Sequence, residues 1–215
     1  MATIHRHYTH PNHEVYIVDL NRTRITVTVT SFSSIVKNWL KAMLHFNGHR
    51  YRQRRLIVGL GIQWNPNALH PFPPDTLQLA VNHRCLIFHL THADGVPYIL
   101  HQILLDDAIR FVGFHNRYDP DKLLHSPLQL RMIRYPTDVV KCLRIRHNDP
   151  RIENASVRRV VKKYLRIKVE QRGEVKDSDW NRLNLTEEQV IFAVVDAYCA
   201  FLIAIKIPIR QLAQV

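Results

Sequence analysis

The chain has 215 residues, 46% of them hydrophobic, which is enough for one sizeable core in a single domain. Lys and Arg number 30 against 18 Asp and Glu, a net charge of +12 that favours a polyanionic partner, because each cation docked on a phosphate releases condensed counterions. Scarce glycine and the lack of low-complexity tracts argue against disorder, and three isolated cysteines (Cys85, Cys142, Cys199) argue against a disulfide framework or a zinc site and fit a reducing compartment.

In chain order, residues 1–13 are polar and rich in histidine (His5, His7, His10, His13), with no apolar stretch for a secretory signal. They read as an arm ahead of one domain over 14–215. Residues 15–30 read as a hairpin: an apolar run, a turn at Asn21-Arg22, then Ile25, Val27 and Val29 alternating with threonines. Ser33 or Ser34 can cap a helix to about Leu44, with Ile35, Val36, Trp39, Leu40 and Met43 on one face. A basic connector over 47–55 carries Arg50, Arg52, Arg54 and Arg55.

Residues 56–62 form a short apolar run of the kind that suits a strand covered on both faces. The four prolines of 65–74 predict a loop, and strands follow over 76–81 and 84–90, joined at Asn82-His83. A helix is expected from Gly95 to Leu105 with Pro97 in its first turn, then a strand over 110–114, a helix over 118–124 and a strand over 129–134. Residues 137–164 are partly helical and basic. The pattern Thr186-Glu-Glu-Gln189 is a capping box that opens a last helix to about Ile205. The apolar run 191–209 contains Asp196 and Lys206 and ends at Pro208, so it reads as a core helix and not a membrane span. The whole is an α/β domain with a mixed sheet.

Four stretches, in order, carry a resemblance. They are Val58-Gly-Leu-Gly-Ile-Gln-Trp64 with Pro66; Leu77-Gln-Leu-Ala80 with Cys85-Leu-Ile-Phe88; Phe111-Val-Gly-Phe-His-Asn-Arg-Tyr-Asp119 with Lys122-Leu123; and Ser178-Asp-Trp180 followed by Leu185, Thr186, Gln189 and Phe192-Ala-Val-Val-Asp196-Ala-Tyr198. Together they resemble the Werner-type branch of the 3′-to-5′ exonuclease family named for its Asp-Glu-Asp-Asp carboxylates. Within it the chain looks similar to the plant RISC-interacting clearing 3′-5′ exoribonucleases. The resemblance implies a ribonuclease H-like (DnaQ-like) fold, a mixed central sheet flanked by helices, and phosphodiester hydrolysis dependent on Mg²⁺ or Mn²⁺.

The chain departs from the family at its metal ligands. Gly61 stands where the family has Asp, Gln63 where it has Glu, and Phe192 where it has the Tyr that orients water. The retained acids are Asp119 and Asp196. On this resemblance Asp119 and Asp196 hold metal, Gln63 contributes a neutral oxygen, and Arg52, Arg54, Arg55, Trp64 and Arg117 contact single-stranded RNA. Asp119 could equally be a helix N-cap, since Pro120 follows, and Asp196 could be satisfied by a basic side chain. Tyr51, Phe72 and Tyr118 can stack on bases, His115 can act as a general base, a second basic cluster lies at Arg158, Arg159, Lys162 and Lys163, and Asp138, Glu170, Asp177 and Asp179 are candidate extra acids.

Three readings of the site stand: active with fewer carboxylates, completed by a neighbouring subunit, or inactive. The subfamily resemblance implies a homo-oligomeric ring, a hexamer, with an Argonaute of the RNA-silencing complex as partner, in the cytoplasm or also the nucleus. A catalytically inactive nucleic-acid-binding adaptor is the competing class, and a DNA proofreading or repair nuclease a third.

Overall fold

The computed structural model describes residues 2–66 and 73–212. Most of the proline-rich loop, Phe72 included, lies outside the described residues.

Strand β1 (Ala2–His10) pairs antiparallel with β2 (His13–Leu20), and β2 with β3 (Thr23–Thr30). Both central residues of the β2–β3 turn, Asn21 (φ 50°) and Arg22 (φ 71°), are left-handed, as the two-residue hairpin turn matching strand twist requires. The polar segment expected to be an arm is therefore an edge strand. Its side chains are polar because an edge strand leaves most of them in water, and the register break between Ile4 and Arg6 blunts the free edge.

Helix α1 (Ser33–Phe46) and the short α2 (Gly48–Arg52) follow. Neither serine caps α1. Its first free N–H, on Ser33, donates to the Asp94 carboxylate at 2.6 Å, so the cap comes from a distant loop. The basic connector is mostly helical, and buried Asn47 anchors it by bonding Met43 and Asn82.

Next come β4 (Leu56–Gln63), β5 (Thr76–Val81) and β6 (Arg84–His89), then α3 (Tyr98–Leu104), β7 (Ile109–Gly113) and α4 (Asp119–Leu124). Pro97 sits at the N-cap of α3, one position before the first turn. A two-residue strand β8 (Thr137–Asp138) leads into α5 (Val139–His147), and after a 3₁₀ turn come α6 (Val157–Leu165), α7 (Gly173–Lys176), α8 (Glu187–Ala204) and α9 (Ile209–Leu212). The expected strand over 129–134 does not form. Gln129 is left-handed (φ 46°) and the Leu130 N–H turns back to Leu123, so the run cannot extend. The α8 capping box is complete, with Thr186 and Gln189 each accepting from the other's N–H.

The sheet runs β1-β2-β3-β6-β5-β4-β7-β8, with β3/β6, β4/β7 and β7/β8 parallel and the remaining pairs antiparallel. Strands β4 and β5 are buried at every residue, as a doubly covered centre demands. Helix α8 lies on β4, β5 and β7, and all three cysteines are buried and free. Among the described residues no helix is long and apolar enough to cross a membrane.

Helix α8 packs directly onto the β4 backbone at Gly59. A Cβ on Gly59 would lie 2.1 Å from the Ala197 carbonyl oxygen, so the position excludes every side chain. Gly59→Ala should cost about 3 kcal/mol or more, because the obstacle is helix backbone that cannot yield locally. Gly173→Ala, with open space at its Cβ, should stay within about 0.5 kcal/mol of wild type. Urea midpoints at unchanged m-value measure both.

Candidate active site

The parallel strands β4 and β7 both end at one cleft, where α/β sheets place their sites. Strand β4 delivers Gly61 and Gln63 on its α8 face, since residues two apart share a face. The turn after β7 and the start of α4 deliver His115 and Asp119. Helix α8 delivers Phe192 and Asp196, four apart and so on one side. The cleft encloses about 300 Å³ and is also lined by Trp64, Ser156, Gln171, Arg172 and Lys176.

Asp119 is the first helical residue of α4, not its cap. Tyr118 holds the cap position, and the Asp119 carboxylate makes no hydrogen bond within the described residues. Asp196 accepts one hydrogen bond, from Gln63 Nε2 at 3.3 Å. Neither carboxylate has a Lys or Arg at ion-pair distance among the described residues, so the basic-partner explanation of Asp196 is not what the structure contains. Burial pushes Asp119 up to about 7, and repulsion from Asp196 and then Asp138 adds to it against the pull of Lys122. Burial likewise pushes Asp196 up to about 7, opposed by Lys176 and by the Gln63 hydrogen bond. Two acids are thus held in a part-buried cleft with cations near but not touching.

The cleft cations differ from those expected. Arg52, Arg54 and Arg55 sit at the opposite end of β4. An eight-residue separation along a strand, from Arg55 to Gln63, is roughly 25 Å. Arg54 there pairs with Asp107, and Tyr51 donates to Asp106 at 2.6 Å instead of offering its ring. The second basic cluster is the one beside the cleft, because Ser156 and Val157 at the start of α6 line it and Arg158 and Arg159 follow on the exposed side. Lys176 and Arg172, which nothing in the motif pattern singles out, complete the basic rim. Arg117 is exposed, lies over the Tyr118 ring and lines a separate pocket with Asp121 and Asp138, not the cleft.

Trp64 lines the cleft, with the Lys122 ammonium 2.9 Å above its ring centre. His115 Nε2 is 3.0 Å from the Ala155 carbonyl, which can only accept, so Nε2 carries the proton and Nδ1 is the free basic atom. None of the candidate extra acids lines the cleft. Asp138 caps α5, Asp179 accepts from Asn65, Glu170 pairs with Arg172, and Asp177 is exposed.

Among the described residues no three His, Cys, Asp or Glu side chains converge. The donors present at the floor of the cleft are two carboxylates and amide side chains, all hard oxygen ligands. Behind Gly61, beneath the lining residues, Gln78 is fully buried and its Oε1 has no hydrogen-bond partner among the described residues. Such a set fits Mg²⁺ or Mn²⁺ by type. Its charge of at most −2 balances one divalent ion and not two.

No protein-family model matches the chain. In sequence it is 24% identical over 186 residues to a protein of Acanthamoeba polyphaga mimivirus named as a 3′-5′ exonuclease, a match covering 83% of this chain and 45% of that one. It is 26% identical over 163 residues to the mouse bifunctional 3′-5′ exonuclease/ATP-dependent helicase WRN, covering 70% of this chain and 11% of that protein. The chain therefore spans less than half the length of either relative. In structure it resembles Escherichia coli RNase D (TM-score 0.66, 15% identity, 86% of this chain and 45% of that one). It also resembles the Aedes aegypti Nibbler EXO domain (TM-score 0.61, 18% identity, 86% and 88%). The fold is that of the ribonuclease H-like exonuclease domains. The sequence likeness points to the 3′-5′ exonucleases among them.

The raised acids set a pH dependence. In the unfolded chain both titrate at about 4, and in the folded chain at about 7, so between those values the folded state holds more protons. The stability of the metal-free protein should fall through this pair as pH rises across that window. An Asp119→Asn/Asp196→Asn variant lacks the penalty, so its stability relative to wild type should be greater at pH 8 than at pH 5. Urea unfolding in EDTA measures this, and an equal difference at both pH values would contradict raised titration.

Proposed function

We propose that this chain is a 3′-to-5′ exoribonuclease that degrades single-stranded RNA with the help of Mg²⁺ or Mn²⁺. The observation that carries the reading is the meeting of Asp119 and Asp196, from motifs 77 residues apart in sequence, in one cleft with no ion-pair partner among the described residues. Unpaired acids in a part-buried place are costly, and a cation supplied from solution offsets that cost.

Asp119 and Asp196 would hold the metal, with Gln63 turning its amide oxygen inward. The chemistry that a divalent ion would supply there is acidification of a bound water and screening of the phosphate charge. The chain's own residues do the rest. Lys176 and Arg172 on the rim, with Arg158 and Arg159 on α6, draw the phosphate backbone in. His115 Nδ1, left free by the Nε2 contact with Ala155, is placed to take a proton from water, a role the Phe192 ring cannot share because it lacks a hydroxyl. Trp64 lines the same cleft, with one ring face covered by Lys122.

The preference for RNA, a role in RNA silencing beside an Argonaute, a cytoplasmic location and a hexameric ring are further parts of the proposal. They rest on the likeness to the plant clearing exoribonucleases in the altered first motif, length and basic character. Gly61, Gln63 and Phe192 favour a second reading, a nucleic-acid-binding adaptor without catalysis.

Degradation of 5′-labelled single-stranded RNA and matched DNA, with Mg²⁺, Mn²⁺ or EDTA, decides between them. A metal-dependent ladder on RNA that drops at least about a hundredfold in Asp196→Ala is expected, more than the loss of an outer-shell partner costs. No cleavage by micromolar protein that still binds RNA in a salt-sensitive way would leave the adaptor. Faster cleavage of DNA would place the chain among DNA nucleases.

A further inference from the structure

Gly61 leaves a gap in the cleft floor, and the structure shows what fills it. Strand β5 pairs with β4 so that Gln78 stands directly opposite Gly61 and Thr76 opposite Gln63. Cross-strand partners point to the same face, so all four face α8. A Cβ on Gly61 would lie 2.8 Å from Gln78 Oε1 and 3.0 Å from Asp196 Oδ2. The amide oxygen and the carboxylate oxygen therefore flank the place from which a side chain at residue 61 would start.

Gln78 is fully buried, and only one end of its amide is engaged. Its Nε2 donates to Thr76 Oγ1 at 2.7 Å, which fixes the amide along the strand, while Oε1 has no hydrogen-bond partner. A buried carbonyl oxygen without a donor costs about 1–3 kcal/mol, so a sequence that keeps one needs a reason. Among the described residues no N–H or O–H reaches it. A hard cation beside Asp196 would satisfy it, since side-chain amide oxygens are ordinary ligands of Ca²⁺, Mg²⁺ and Mn²⁺.

We propose that Gln78 Oε1 is a ligand of the divalent metal, taking the coordination place that Gly61 leaves empty, so that the metal rests on Asp196 and Gln78 from two adjacent elements. The proposal rests on the metal-dependent reading of the cleft. It adds a ligand from the second strand motif, where the sequence shows only a strand glutamine. The ligand is neutral, so the site binds its ion more weakly than one with a carboxylate at residue 61. Glu at position 78 would supply the missing charge at the same place.

The test is Mn²⁺ binding, followed by the loss of the free Mn²⁺ EPR signal, for wild type, Asp196→Ala, Gln78→Met and Gln78→Glu, with thermal melts of each in EDTA. Gln78→Met keeps the length and removes the oxygen, and its affinity should fall at least about tenfold. Gln78→Glu should rise by a similar factor. The inner-sphere water count of bound Tb³⁺, from luminescence lifetimes in H₂O and D₂O, should increase by one in Gln78→Met.

Saturable binding that is lost in Asp196→Ala but unchanged or tightened in Gln78→Met would overturn the Gln78 assignment and leave the metal reading intact, with the amide acting as a donor to Asp196. No saturable Mn²⁺ binding by wild type at millimolar ion would overturn both. If Gln78→Met does not fold, Gln78→Glu decides alone, and an affinity equal to or below wild type sinks the assignment.

Discussion

Helix α8 rests on strand β4 with no side chain between them at Gly59, and the geometry of the cleft follows from that contact. A bare strand lets the helix carbonyls approach to van der Waals distance, and the next inward position, Gly61, then faces Asp196 at a distance a single Cβ would span. One turn earlier on the helix, Phe192 closes the cleft wall and stacks at a tilt against buried Trp180. Strand β7 obeys a similar constraint: a Cβ on Gly113 would strike Asn116 and the Leu60 carbonyl, so the chain turns tightly and brings Asp119 onto α4 beside the same floor. The acids converge because two close backbone contacts, at Gly59 and Gly113, and one side-chain contact, at Gly61, bring α8 and the turn after β7 up to β4.

The charge balance of the cleft explains its unusual composition. Four carboxylates in so small a space repel strongly without metal and hold two divalent ions firmly with it. A cleft with Gly61 and Gln63 beside only two acids carries less of that repulsion and less charge to offer a cation. What remains is a pair of acids whose ordinary charge is suppressed by burial, with Lys122 and Lys176 near enough to moderate each but not to neutralise it. The buried amides of Gln63 and Gln78 fill the vacated volume with polar atoms that can face either a carboxylate or a cation.

Much of this was legible in the sequence where the signal is local. The hairpin at Asn21-Arg22, the doubly buried run of β4 and the capping box at Thr186 each carry their own turn or cap chemistry, and each formed where expected. The motif order also pointed to Asp119 and Asp196, which the structure brings into one cleft. The helix start at Ser33 was misread because its cap is Asp94, 61 residues away, and no local pattern records that bond. Residues 129–134 look like a strand by composition, yet a left-handed Gln129 breaks them. Gln78 was hidden in plain view. Within a strand motif a glutamine looks like a tolerated polar residue, and only the cross-strand register with Gly61 gives it a ligand's position.

The arginines before β4 show how sequence proximity misleads at the scale of one strand. They precede the site strand directly, but a strand is a spacer: eight residues carry the chain roughly 25 Å away. That is more than twice the screening length of about 8–10 Å at physiological salt, so Arg52, Arg54 and Arg55 cannot bias the protonation or ligands of the cleft. Their contribution is confined to the general positive field, one of them already paired with Asp107. Residues 158–176 follow the sheet in sequence and look remote from its motifs, yet α6 and α7 fold back across the open end of β4 and place Lys176 where it acts on Asp196. The basic residues that matter to the chemistry are therefore chosen by the topology of the return path, not by distance along the chain.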